Sequence, residues 1–308
     1  KTFVYQVREA KPSTAKPGIE YSQNVATIKV HVLDDGKGTL VVSSTTENAT
    51  FVNHYSATLN YSAAGGLSLE KTLNGRDMVD GQFRIEVMPA NEASASVFGL
   101  PMEGKAFDMP SAFDGEAASA LVANDVTFTQ LDAGCEFKYT VSELGESGNG
   151  YTYDKAVRTV TIAVADDPDN AALTATTTVA GGPEGTKTFV YKTGDESVSP
   201  AAKVTFANSY AAAGSVSVDA TKTLIGRVME AGEFSFAMQY AKGSAVGVDV
   251  RTATNAADGS VSFGTLDFTN RQLDELVASG SASKLVTAST GDAVWMVPCL
   301  AYENTAGL

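Results

Sequence analysis

The stretch Leu67-Ser68-Leu69-Glu70-Lys71-Thr72-Leu73-Asn74-Gly75-Arg76 reads as a strand that carries a lysine on its dry side. A strand alternates its side chains between two faces, so Leu67, Leu69, Lys71 and Leu73 share one face and Ser68, Glu70 and Thr72 the other. A lone buried ammonium is costly. Either the strand assignment is wrong or the core holds a group that pairs with the amine or consumes it.

Two later strands offer such groups. In Phe137–Glu143 the inward face reads Phe137, Tyr139, Val141, Glu143; in Val204–Tyr210 it reads Val204, Phe206, Asn208, Tyr210. Burial lowers the pKa of a lysine and raises that of a glutamate, so the pair can rest as neutral amine and neutral acid. A neutral amine is a nucleophile, and a carboxamide whose oxygen is hydrogen-bonded by the protonated acid is an electrophile. Lys71, Glu143 and Asn208 thus have the makings of a Lys–Asn amide formed with loss of ammonia. Contact enforced by the fold supplies the rate that water does not.

The ordered motifs K-T-L-x-G-R, Y-x-V-x-E, G-Y-x-Y-D with a Thr/Val-rich strand, and F-x-N-x-Y resemble the streptococcal pilin isopeptide linkage (FctA-like) family. That family is related to the B-type domains of collagen adhesins. The resemblance implies Lys71 and Asn208 as a cross-linked pair and Glu143 as the acid that promotes the bond. It also implies an exported stalk or pilus shaft on a Gram-positive cell surface, attached to the cell wall.

Internal repeats set the expected organisation. Gly18 to Asp35 matches Gly150 to Asp167, Phe51-Val52-Asn53-His54-Tyr55 matches Phe206 to Tyr210, and Phe3 to Glu9 matches Phe137 to Glu143. Lys222-Thr223-Leu224-Ile225-Gly226-Arg227 repeats Lys71 to Arg76, and Glu303 aligns with Glu143. The expectation is a C-terminal half unit over 1–62, a whole unit over 63–212 and the N-terminal part of a third over 213–308. Partial sites would hold Glu9 with Asn53, and Lys222 with Glu303. The fold class expected is all-β, tandem Ig-like sandwiches with short helical insertions. Residues 115–124 are the best helix candidate, with Asn270 to Ser279 as counterpart. Tyr61 to Gly66 and Ala211 to Gly214 are expected as short linkers.

A net charge of −14 and a pI near 4.6 argue against nucleic acid and anionic membrane surfaces as partners. No apolar run is long enough to span a bilayer. The chain opens at Lys1 inside a strand-like run, without methionine, signal peptide or sorting motif, and so reads as a processed or excised piece. Cys135 and Cys299 fall at non-equivalent repeat positions and read as small core side chains. His31 and His54 both alternate outward, and Asp34-Asp35 and Asp166-Asp167-Pro168-Asp169 read as acidic turns, so no metal is expected. No phosphate loop or nucleophile elbow is present, and no cofactor is expected.

The function expected is a structural one, with self-cross-linking as single-turnover chemistry rather than enzymatic activity. The alternative is an adhesin whose units bind a host protein or glycan; a carboxylate-pair glycosidase is a distant third, since the inward acids occur one per unit. The expected partners are neighbouring domains of the same or adjacent chains. The incomplete ends admit two arrangements: a fragment of a longer tandem array, which is the favoured one, or a filament in which one molecule's head completes the next molecule's tail.

Overall fold

A computed structural model of the chain describes residues 1–194, 200–242, 245–270, 283–286 and 293–296. The first stretch supplies β1 (Thr2–Arg8), β2 (Ile19–Glu20), β3 (Val25–Asp34), β4 (Leu40–Glu47) and β5 (His54–Tyr55). The central stretch supplies β6 (Thr58–Asn60), β7 (Leu67–Asn74), β8 (Arg84–Pro89), β9 (Lys105–Asp108), β10 (Ala117–Leu121), β11 (Thr127–Thr129) and β12 (Glu136–Leu144). It continues with β13 (Tyr151–Thr152), β14 (Arg158–Asp167), β15 (Ala172–Ala180), β16 (Lys187–Lys192) and β17 (Ala202–Tyr210). The third stretch opens with β18 (Ala213–Thr221), β19 (Ser235–Lys242), β20 (Ala245–Thr254) and β21 (Ser260–Thr269). The fold is all-β, as the alternating sequence patterns require. Among the described residues no helix is long and apolar enough to cross a membrane.

The central stretch is a two-sheet sandwich. One sheet runs β10-β7-β17-β13 and the other β16-β15-β14-β12-β8-β9, with the small pair β11-β6 beside them. Alternation puts Leu67, Leu69, Lys71 and Leu73 of β7 inside with Ala202, Val204, Phe206 and Asn208 of β17, facing Phe137, Tyr139 and Val141 of β12. Most neighbours are antiparallel, but β7 and β17 run parallel, with Lys71 opposite Phe206 and Leu73 opposite Asn208. The first and last long strands of the sandwich therefore lie side by side. Leu59 and Tyr61 are fully buried in the same core, and Tyr61 meets Phe98, Phe128 and Tyr191 ring to ring.

Two local expectations are corrected. Residues 115–124 contain strand β10, not a helix: their Ala-rich backbone pairs with β7, and sheet pairing overrides the intrinsic preference of alanine. The short helix α1 lies instead at Glu92–Phe98, where Asn91 caps its start by accepting from Ser94 N at 2.9 Å and Gly99 ends it in the left-handed region. Its suggested counterpart after Asn270 lies outside the described residues. Cys135 is exposed rather than buried, because it sits in the turn before β12, ahead of the residues that alternate into the core. Cys299 lies outside the described residues.

The first stretch forms a sheet β1-β3-β4 and a separate pair β2-β5. Phe3, Tyr5 and Val7 are 38 %, 53 % and 40 % exposed, whereas their repeat counterparts Phe137, Tyr139 and Val141 are almost wholly buried. In the third stretch β18 pairs with β21 and β19 with β20.

Candidate functional site

Three strands that are distant in sequence bring Lys71, Glu143 and Asn208 together. Lys71 and Asn208 project from parallel neighbours β7 and β17, and Glu143 reaches them from β12 in the opposite sheet. Lys71 Nζ lies 3.0 Å from Glu143 Oε1 and 3.1 Å from Oε2. Asn208 Nδ2 donates to Glu143 Oε1 at 2.7 Å. The Lys71 and Glu143 side chains are completely buried and Asn208 is 2 % exposed, while the Phe83 ring lies 4.9 Å from the amine.

The protonation states follow from this dryness. Burial lowers the Lys71 pKa to about 8, against the opposing pull of Glu143. Burial raises that of Glu143, against Lys71 and the Asn208 amide. The two shifts converge, so transfer of the proton from amine to carboxylate becomes easy.

The carboxamide is oriented differently from the sequence-based expectation. Its oxygen is not held by the acid: Asn208 Oδ1 accepts from the backbone N–H of Asp154 at 2.7 Å, and the amide nitrogen faces Glu143. The reverse orientation would point an NH₂ at a backbone N–H, two donors together. Glu143 thus touches both the Lys71 amine and the Asn208 amide nitrogen.

Asp154 closes the G-Y-x-Y-D motif, to which the sequence reading assigned no role, and its partner Arg158 lies outside the motifs. Arg158 is 1 % exposed and donates to Asp154 Oδ2 at 2.6 Å. A signal for it exists, since Arg158, Val160, Ile162 and Val164 share the inward face of β14, a second cation on a dry strand face. Arg76, which closes the K-T-L-x-G-R motif, is also buried, donates to the Tyr151 hydroxyl at 2.9 Å and stacks 4.8 Å from the Tyr210 ring.

The partial sites echo this arrangement. In the first stretch Asn53 Nδ2 donates to Glu9 Oε1 at 2.7 Å, while the backbone N–H of Ser22 donates to Asn53 Oδ1 at 2.7 Å. Ser22 is the repeat counterpart of Asp154. In the third stretch Lys222 Nζ lies 4.7 Å from the ring of Phe234, the counterpart of Phe83. Glu303 lies outside the described residues. Among the described residues no group of three or more His, Cys, Asp or Glu side chains is placed to hold a metal.

A family model described as the Spy0128-like isopeptide containing domain matches residues 1–56 and 67–211. Among solved structures, the T-13 major pilin of Streptococcus pyogenes aligns at 15 % identity over 68 % of this chain and 67 % of that one, with a TM-score of 0.18. A variant of a major pilin from the same organism aligns at 14 % identity over 76 % and 91 %, TM-score 0.23. The T3.2 major pilin aligns at 13 % identity over 68 % and 66 %, TM-score 0.15. No curated protein matches the chain.

Proposed function

The chain belongs to the family of Spy0128-like isopeptide containing domains, and from that premise we propose that it is a pilus-shaft segment whose sandwich closes itself with a Lys71–Asn208 isopeptide bond promoted by Glu143. The observation that carries this reading is the dry three-way contact of amine, carboxyl and carboxamide.

The reaction conserves its atoms. Glu143 takes a proton from the Lys71 ammonium, and the free amine adds to Asn208 Cγ. The Cγ–Nδ2 bond then breaks, the proton held by Glu143 passes to Nδ2, and ammonia leaves. The added nitrogen gives up its surplus proton to Glu143. The products are a secondary amide and one ammonia, formed once per site, so the protein is not an enzyme. Holding the groups in contact replaces a bimolecular encounter and is worth effective molarities of about 10⁵ M or more.

The mechanical consequence follows from the sheet order. Because β7 and β17 are parallel neighbours, a bond between them carries tension from one terminal strand directly to the other and leaves the intervening strands unloaded. We take the unit boundaries to be those set by the repeats, 1–62, 63–212 and 213–308, with residues 57–61 lending apolar side chains to the central core. Glu9 with Asn53 forms a second site of the same kind, to be completed by a lysine-bearing strand, and Lys222 belongs to a third. The location that goes with this function is the surface of a Gram-positive cell.

Intact mass of the denatured chain tests the reading. Wild type should be lighter than its sequence by one ammonia for the central site, and Lys71→Ala should remove that deficit. A wild-type mass equal to the sequence would overturn it.

A further inference from the structure

The backbone N–H that holds Asn208 Oδ1 belongs to a loop between β13 and β14, where no strand pairing fixes it. Side chains fix it instead. The Asp154 carboxylate accepts from the Ala156 N–H at 3.0 Å, closing a tight turn, and from Arg158 at 2.6 Å. Arg158 in turn donates to the Ala156 carbonyl at 2.8 Å. Its guanidinium stacks 4.0 Å from the centroid of Phe206, the inward neighbour of Asn208 on β17. The loop is thereby buckled to the strand that carries the carboxamide.

Granting the cross-linking function proposed above, we infer that Asp154 is a catalytic residue through its backbone N–H, which stabilises the oxyanion on Asn208 Oδ1, and that Arg158 is the positioning residue that aims it. As Lys71 Nζ bonds to Cγ, the carbonyl pair moves onto Oδ1, and the N–H strengthens its hold on the developing charge in a buried site. When the pair returns, the Cγ–Nδ2 bond breaks and ammonia leaves. The first stretch supports this division of labour. Ser22 directs its N–H at Asn53 Oδ1 in the same way, and its hydroxyl accepts from Asn24 N–H at 3.2 Å where Asp154 accepts from Ala156. The counterpart of Arg158 there is Ala26. The donor is common to both repeats, and the guanidinium clamp belongs to the central unit.

Arg158 also has an electrostatic task. The charged groups acting on Lys71 are Glu143 from β12, Asp154 from the loop and Arg158 from β14. The Asp154 carboxylate favours the ammonium form of Lys71, and Arg158 opposes it. Removing Arg158 leaves Asp154 uncompensated beside the amine and moves loss of the Lys71 proton to higher pH.

The test follows bond formation in time. The full chain is made by cell-free synthesis, chased across a range of pH, quenched in acidic denaturant and digested, and the Lys71–Asn208 linked peptide is quantified by mass. Arg158→Met should link at least about tenfold more slowly than wild type, with its alkaline limb displaced upward. Arg158→Lys should recover part of the rate. The double variant Asp154→Asn/Arg158→Met should return the limb toward wild type while staying slow. Hydrogen exchange of the β7 and β17 amides, each variant carrying Lys71→Ala as well, verifies that the sandwich has formed. Wild-type kinetics in Arg158→Met, or slowing with an unmoved pH profile, would overturn the inference alone. Absence of the linked peptide in wild type would overturn the cross-linking function and this inference with it.

Discussion

Replacing Asn208 by alanine removes the electrophile while leaving the Lys71–Glu143 pair in place, and its cost can be worked from the structure. The proposed bond would close a span of 208 − 71 = 137 residues. Treated with the loop-entropy expression used for disulfides, that closure is worth about 5 kcal/mol at 25 °C. Asn208→Ala also strips the acceptor from the Asp154 N–H, a part-buried donor, for roughly 1–2 kcal/mol more. A sandwich of roughly 150 residues has an unfolding entropy near 0.3 kcal/mol/K, so a loss of about 6–7 kcal/mol lowers the melting temperature by roughly 20 °C. Differential scanning calorimetry reads the shift, and intact mass verifies that the central site of the variant has lost no ammonia. Glu143→Gln separates the two contributions, since it retains lysine and asparagine but should not form the bond. Were wild type lighter by one ammonia yet Asn208→Ala to melt within about 5 °C of it, the closure argument would be wrong.

Bond formation in wild type should follow a bell in pH. The reactive pair holds one proton between Glu143 and Lys71; acid adds a second and leaves an ammonium that cannot attack, and alkali removes the last and leaves no acid for the departing nitrogen. Because burial raises Glu143, the acid limb should lie above the usual carboxylate range, and the alkaline limb should fall near the lowered Lys71 value of about 8. The quenched-synthesis assay measures both, and a rate that climbs without limit into alkali would contradict the pair. Gly75→Ala should destabilise the sandwich by about 2–3 kcal/mol in urea titration, because Gly75 sits at φ +98° and a Cβ would overlap the Tyr210 carbonyl oxygen; a neutral effect would mean the β7–β17 end can shift. Asn270 donates to the Gly75 carbonyl at 2.8 Å and accepts from Ala212 N–H at 3.0 Å, tying the third stretch to the central one. Asn270→Ala should raise hydrogen exchange at Ala212 at least about fivefold, for a loss of roughly 1–2 kcal/mol, and unchanged protection would show the tie to be idle.

Strand parity is enough to make the site readable in the sequence, because a lysine, a glutamate and an asparagine on inward faces are exceptions that alternation exposes. The same parity runs through Arg158, yet its partner is a loop carboxylate, and no period marks a loop. The orientation of the Asn208 amide is likewise beyond sequence, since it is settled by a main-chain N–H that every residue type except proline carries. Helix α1 and strand β10 show the opposite limit. Alanine content favours a helix at 115–124, but the free edge of β7 needs a partner, whereas the helix itself is declared by Asn91 and Gly99 at its ends. Cys135 belongs by count to the inward set of β12, and the turn in front of that strand displaces it.

Lys71 and Glu143 are 72 residues apart and Glu143 and Asn208 a further 65, and they meet only where both sheets close on one another. If that meeting expels ammonia, it does so once, and nothing in later unfolding restores the lost atoms. A mass spectrum taken in denaturant then counts the molecules that have ever been folded, not those folded at the moment of sampling. The central sandwich would carry a molecular memory of its own assembly, written at first closure and still legible after the fold is gone.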